Sequence, residues 1–179
     1  MAQEALILNY TWGIFLVIFS IIFLKQKIKP LSIISLFISF FGIVIIATKG
    51  DLLHFSLTLS KGNILALSSA LIWALYWIIN IKNSEDPVLA LFFQFFTGSF
   101  IAFITCILVN SIDFSLNRTT ILYSVYIGTF EMSIPFIFWF NALKNASNTA
   151  RIANLIYLSP FFSLLLISTI LKEQVHYSS

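Results

Sequence analysis

Glu131 sits near the middle of the apolar run Gly128 to Asn141, GTFEMSIPFIFWFN, and is the side chain of this sequence best placed to do chemistry. An ionised carboxylate at the centre of a membrane span costs roughly 2.5 to 3.5 kcal/mol on insertion scales, so Glu131 is expected to face a protein interior, a cavity or a partner and not lipid. Two roles stay open. A protonated Glu131 hydrogen-bonds a neighbouring helix and holds a bundle together; a functional Glu131 carries a proton in a coupled cycle or engages a substrate amine. Pro135, four residues on, offers no backbone donor to the Glu131 carbonyl and clashes with it, so a bend is expected here. Freed backbone groups at membrane depth are tolerated where protein or water re-satisfies them.

Nothing else in the chain forms a catalytic constellation. Paired carboxylates, His-rich metal spacing and a nucleophile elbow are all lacking, so no catalytic residue, metal or cofactor is expected, and the chain is not read as an enzyme. His54 and His176 fall in connections and read as solvated. Cys106 is the single cysteine, which rules out an internal disulfide. Hydrophobic residues make up 59% of the chain and charged residues 9%, with a mean hydropathy of +0.98; soluble domains carry roughly 25% charged residues. The lipid bilayer is therefore the first partner. The net charge of +3 and pI of about 9.1 come from basic residues scattered through the connections, with no patch to track a phosphate backbone, so no nucleic acid is expected. The N-terminal MAQEALILNYTW lacks the positive start and cleavage site of a signal peptide and runs straight into a span.

Six apolar runs, each long enough to cross a ~30 Å hydrocarbon core as a helix, are expected at Ala5–Leu24, Leu31–Thr48, Gly62–Ile81, Val88–Val109, Thr120–Leu143 and Thr149–Leu171. The runs do not alternate, which argues against a β-barrel. The fold class is an all-α, six-helix transmembrane bundle. With alternating spans, Lys25, Lys27, Lys29, Lys82, Lys144 and Arg151 collect on one side, against Lys49, Lys61, Arg118 and Lys172 on the other. The bias favours the Lys25 side as cytoplasmic and puts both termini outside.

Small residues mark where helices touch: Ser32, Ser35, Ser39 and Gly42 on the second span, Ala66, Ala70 and Ala74 on the third, and Gly98 with Ala102 on the fourth. Trp73, Tyr76 and Trp77 share a face of the third span by helical spacing. They are either an interfacial aromatic belt or a polar-edged surface facing a cavity that suits an apolar or aromatic ligand. An internal echo links the first and last spans. Pairing Leu24-Lys25 with Leu171-Lys172 also matches Leu8 with Leu155, Tyr10 with Tyr157 and Phe15 with Phe162, and sets Gly13 against Pro160, both weak points in a helix. The two segments cross in opposite directions, as an inverted repeat requires.

NYTWGIFLVIFS at Asn9–Ser20, the following LKQKIKP and GIVIIATKG, ALIWALYWIIN at Ala70–Asn80, and the run from Phe130 to Ile167 through FEMSIPFIFWFNALKNASNTARIANLIYLSP resemble the EamA-type drug/metabolite transporter superfamily, and within it the aromatic amino-acid exporters. The resemblance implies a ten-helix transporter of two inverted five-helix repeats around a central cavity, exporting amino acids or similar small metabolites across the inner or plasma membrane by alternating access. It implies that residues 1–50 are the last two helices of the first repeat, 51–61 an external linker, and 62–179 the first four helices of the second. The chain then looks like a fragment covering the fourth to ninth helices, inactive alone, or a small non-transporting subunit whose missing helices come from a partner chain or homo-oligomer. Tyr10 and Trp12 match the family's first-repeat motif, Trp73 and Tyr76 its sixth helix, Glu131 its eighth, and Asn154, Tyr157 and Pro160 its ninth. All eight are expected to line the cavity, with the aromatics stacking on a small-molecule substrate and Glu131 or Asn154 holding its polar end. Gly13 stands where the family usually has a proline, and Pro135 where a small residue is expected.

Overall fold

The computed structural model describes residues 2–48, 50–51, 60–109 and 117–171, without the side chains at 2, 3, 164, 167 and 171. His54, His176, Lys49, Lys172 and most of the 51–61 connection lie outside the described residues. The helices in chain order are α1 (Ala2–Tyr10), α2 (Trp12–Leu24), α3 (Pro30–Ala47), α4 (Lys61–Lys82), α5 (Pro87–Leu108), α6 (Arg118–Tyr126), a π-helical segment Ile127–Ser133, α7 (Ile134–Asn145), α8 (Thr149–Ile156), α9 (Ser159–Leu166) and a second π-helical segment Ile167–Leu171. Among the described residues they form six stretches long and apolar enough to cross a membrane, and no strand occurs. The protein is an all-α, multi-pass membrane protein, with span ends within a few residues of those expected.

Local chemistry sets the helix ends. Asp86 caps α5 by accepting from Val88 N (2.9 Å) and Leu89 N (3.2 Å), with Pro87 at the position where a missing N–H costs nothing. Asn117 accepts from Thr120 N at 2.7 Å and Asn148 from Ala150 N at 2.9 Å to start α6 and α8. At the end of α3, Gly50 takes φ 79° and its N–H reaches Ile45 O at 3.0 Å, a turn only glycine makes without strain.

The chain divides into two compact units, Met1–Lys82 with Ala146–Ser179, and Asn83–Asn145. In the first, α4 lies along α1 and α2, and α8 lies along α2 and α3. Asn63 Nδ2 donates to Glu4 Oε2 at one end, and Thr149 N donates to Gln26 Oε1 (3.1 Å) at the other. Thus α1–α2 and α4 run in the same direction and α8–α9 runs against them. Small residues make the approach close: Ala70 and Ala74 are fully buried, and a Cβ placed on Gly42 would lie 3.8 Å from Phe161 Cζ.

Two spans of this unit are broken, and they break alike. Thr11 N bonds Leu8 O (3.2 Å), a tight three-residue step, and Phe15 N then resumes the helix on Thr11 O (3.0 Å). In the register that pairs Leu24 with Leu171, the same two bonds recur as Leu158 N to Leu155 O (3.1 Å) and Phe162 N to Leu158 O (3.1 Å). The breaks fall two residues before the expected weak points, Gly13 and Pro160.

In the second unit, Lys144 Nζ donates to Glu85 O, so the end of α7 meets the start of α5 and the two helices are antiparallel. Phe95 packs on Phe136 at 5.6 Å. The bend expected at Pro135 takes the form of a widened turn just upstream: Ile134 N reaches back to Thr129 O, and Ser133 Oγ donates to Gly128 O at 2.7 Å. One face departs from expectation. Gly98 has no neighbour within 4 Å of an added Cβ among the described residues, and Ala102 is exposed, so this small-residue stripe packs on nothing within its unit.

A Cβ at Gly13 would come within 2.8 Å of Tyr157 Oη. We expect Gly13→Ala to destabilise the chain by about 1 to 2 kcal/mol, overpacking outweighing the helix-propensity gain, and to cost markedly less beside Tyr157→Phe. Thermal unfolding in detergent measures both; equal costs in the two backgrounds contradict the contact.

Candidate functional site

Three of the eight expected site residues assemble on the face shared by α2 and α4. Trp12 meets Trp73 edge-on with ring centroids 6.4 Å apart, and Trp73 stacks on Tyr76 at 5.2 Å and 14°. Trp77 closes the group against Trp73 (5.7 Å) and Tyr76 (5.0 Å), both edge-on. Such offset and edge-to-face pairs are the favoured aromatic geometries. Trp77 is only 1% exposed, whereas Trp12, Trp73 and Tyr76 are half-buried. Burial of Trp77 argues against an interfacial belt and for a protein-facing cluster whose outer rings stay accessible.

A second group forms where the two broken spans cross. Tyr10 and Tyr157 face each other with centroids 6.5 Å apart; Tyr157 Oη donates to Tyr10 O (3.4 Å), and the Tyr10 hydroxyl shares a hydrogen bond with Ser159 Oγ (3.2 Å). Phe40 of α3 meets the other side of Tyr157 edge-on at 6.1 Å. One turn back on α8, Asn154 Nδ2 donates to Ser35 Oγ at 3.0 Å, while its buried Oδ1 has no hydrogen-bond partner among the described residues. That oxygen is a ready acceptor for an N–H. Pro160 is the second residue of the resumed helix α9, directly after Ser159. Tyr10 and Trp12 flank the Thr11 break, so the two groups share α1–α2 as their common wall.

Glu131 belongs to the other unit. It lies within the π-helical segment Ile127–Ser133, a kind of local widening often found at functional sites, and its side chain is exposed. Beneath that segment, between α5 and α7, a groove of about 370 Å³ is lined by Phe92, Phe95, Phe96, Ser99, Ser133 and Ile137 among others.

Residues 60–179 match the EamA-like transporter family. The chain belongs to that family. Among curated relatives it is 27% identical over 178 residues to an uncharacterized transporter of Archaeoglobus fulgidus, which covers 97% of this chain and 60% of the relative. A Clostridium kluyveri uncharacterized transporter is 29% identical over 181 residues, covering 97% of this chain and 57% of its own length. An uncharacterized transporter in the sor 3′ region of Acidianus ambivalens is 28% identical over 172 residues, covering 96% and 63%. The chain thus spans about 60% of the length of the curated relatives it matches. No solved structure matches it.

Several partners in this candidate site escaped the sequence reading. Ser35 was legible only as a small packing residue, yet it positions Asn154; Ser159 and Phe40 position Tyr10 and Tyr157; Asn9 Nδ2 reaches Ser69 Oγ at 3.4 Å, joining α1 to α4 one turn before Trp73. Glu4, 8% exposed and bonded to Asn63, is a buried carboxylate whose partner lies 59 residues away, and no local pattern announces that pair.

Ser35→Ala leaves Asn154 Nδ2 without its acceptor. We expect a loss of about 0.5 to 1.5 kcal/mol in thermal unfolding, with Ser39→Ala, one turn on, serving as the silent control.

Proposed function

We propose that this chain forms part of the substrate pathway of an exporter for amino acids, aromatic ones favoured, or similar small metabolites, working by alternating access in the inner or plasma membrane. The observation that carries this reading is the half-exposed stack of Trp12, Trp73 and Tyr76 beside the Thr11 break. A flat apolar ring finds there both a stacking face and edge hydrogens. The unpartnered Asn154 oxygen, in the neighbouring group at the crossing of the broken spans, is proposed as the acceptor for the substrate's polar end. Glu131, in the other unit, is proposed either to engage a substrate amine or to carry a coupled proton.

The two-repeat reading is likewise a proposal. Matching backbone bonds at the Thr11 and Leu158 breaks, in helices of opposite direction, support an inverted repeat. The family match begins at residue 60, next to the expected 51–61 linker, which supports residues 1–50 as the end of a first repeat and 62–179 as most of a second. The six spans would then be the fourth to ninth helices of a ten-helix frame, which accords with coverage of about 60% of the relatives. A second reading, a non-transporting subunit completed by a partner chain or homo-oligomer, draws on the bare Gly98–Ala102 face of the second unit.

The test is efflux of labelled phenylalanine or tryptophan from cells expressing this chain, beside the chain extended with four helices from the Archaeoglobus relative. Export by the extended chain alone is expected, and Trp73→Ala in it should cut the rate about three- to tenfold, the worth of one aromatic pair. Efflux by neither form removes the aromatic substrate. Export by both removes the need for the additional helices. In the extended chain, flux that is flat with pH and unchanged by Glu131→Gln removes both roles of that residue.

A further inference from the structure

The connection between α2 and α3 holds three lysines in five residues, Lys25, Lys27 and Lys29. The segment is non-helical, and exposure alternates along it: the lysines are exposed, while Gln26 and Ile28 between them are half-buried. Lys25 begins the pattern in the left-handed region, φ 54° and ψ 31°, which turns the chain sharply off α2. Gln26 pins the segment to the first turn of α8 by accepting from Thr149 N at 3.1 Å. Arg151, exposed, follows two residues later. Among the described residues no carboxylate pairs with any of these four cations.

Their level is fixed by the span ends. Leu24 closes α2, Pro30 opens α3, Thr149 opens α8 and Lys82 closes α4, all at the same end of the first unit. That level is where phospholipid headgroups lie. A basic connection serves topology merely by being basic, and topology asks for neither the alternation nor the tether. Both hold the ammonium groups outward on one short strap, so that several are offered to one surface together. Gln26 already occupies the Thr149 N–H, so the anion-binding groups are the cations and not the helix terminus.

We propose that Lys25, Lys27, Lys29 and Arg151 form a headgroup site for anionic phospholipid, held in shape by the Gln26–Thr149 bond. Because α8 carries Asn154 and ends at Tyr157, the Gln26–Thr149 bond joins the strap to an element of the candidate substrate site. The lipid assignment does not depend on the transport reading.

The experiment purifies the chain from mixed phosphatidylglycerol and phosphatidylcholine bilayers and measures the ratio of the two lipids it retains by native mass spectrometry. A basic residue near an anionic surface is worth about a fivefold preference. The variant Lys25→Gln, Lys27→Gln, Lys29→Gln is therefore expected to lower phosphatidylglycerol retention more than about tenfold. Lys61→Gln, at the opposite end of the same unit, is expected to leave it unchanged. Gln26→Leu keeps every charge and is expected to lose part of the preference by freeing the strap. Retention that survives the triple substitution, or that falls equally with Lys61→Gln, overturns the site; retention untouched by Gln26→Leu overturns the tethered geometry. Displacement by inorganic phosphate at the lipid's own concentration would assign the cations to a free anion instead. Far-ultraviolet circular dichroism confirms that each variant is folded.

Discussion

A backbone polar group in hydrocarbon must find a partner inside the protein, and most of the first unit follows from that constraint. Two of its spans are interrupted. At each interruption a three-residue bond along the chain takes up part of the freed groups, and at the first the other broken span takes up the Tyr10 carbonyl. Tyr157 reaches across to the Tyr10 carbonyl, Tyr10 reaches back to Ser159, and Thr11 Oγ1 closes on Leu8 O. Neither break is tolerable in lipid alone. The two lie against each other, and Gly13, with no side chain, lets them approach.

This mutual dependence explains why polar side chains concentrate at the crossing. Asn154, Ser35, Tyr10, Tyr157 and Ser159 would each be costly facing lipid, and together they are mostly satisfied. The surplus, the unpartnered Asn154 oxygen, is buried one turn from Tyr157 and not on the surface. A transport pathway needs this combination of a few polar groups set in an apolar, aromatic wall. Any substrate that displaced the Tyr10–Tyr157 contacts would have to replace their hydrogen bonds, which ties ligand binding to the geometry of the breaks.

Much of this was readable from residue order, and the parts that were not share a physical cause. The number and ends of the spans follow from hydropathy and length alone, because a bilayer fixes both. The repetition of Tyr10 in Tyr157 and Phe15 in Phe162 pointed to the paired breaks, and the weak helix formers Gly13 and Pro160 marked them within two residues. Stripes of small residues told which faces meet on α3 and α4. The partners across those faces were hidden, since a Ser35–Asn154 or Glu4–Asn63 bond joins residues with no common period. The same rule misled at Gly98 and Ala102, where a face suited to close packing has no neighbour within its own unit.

Glu131 tests how far the membrane-carboxylate argument extends. The cost of ionising a carboxylate in lipid predicts a protein-facing or water-facing position, yet in its own unit Glu131 is exposed within a widened turn. The widening itself is accounted for by Pro135, which has no N–H to give, and by Ser133, whose hydroxyl satisfies the Gly128 carbonyl five residues back. A turn so relaxed presents the side chains of Thr129 to Met132 farther from the helix axis than a regular turn does. The energetic argument then bears on what covers this face and not on the helix: an exposed carboxylate, a bare Gly98–Ala102 stripe and a phenylalanine-lined groove on one two-span unit are all surfaces that lipid serves poorly or indifferently.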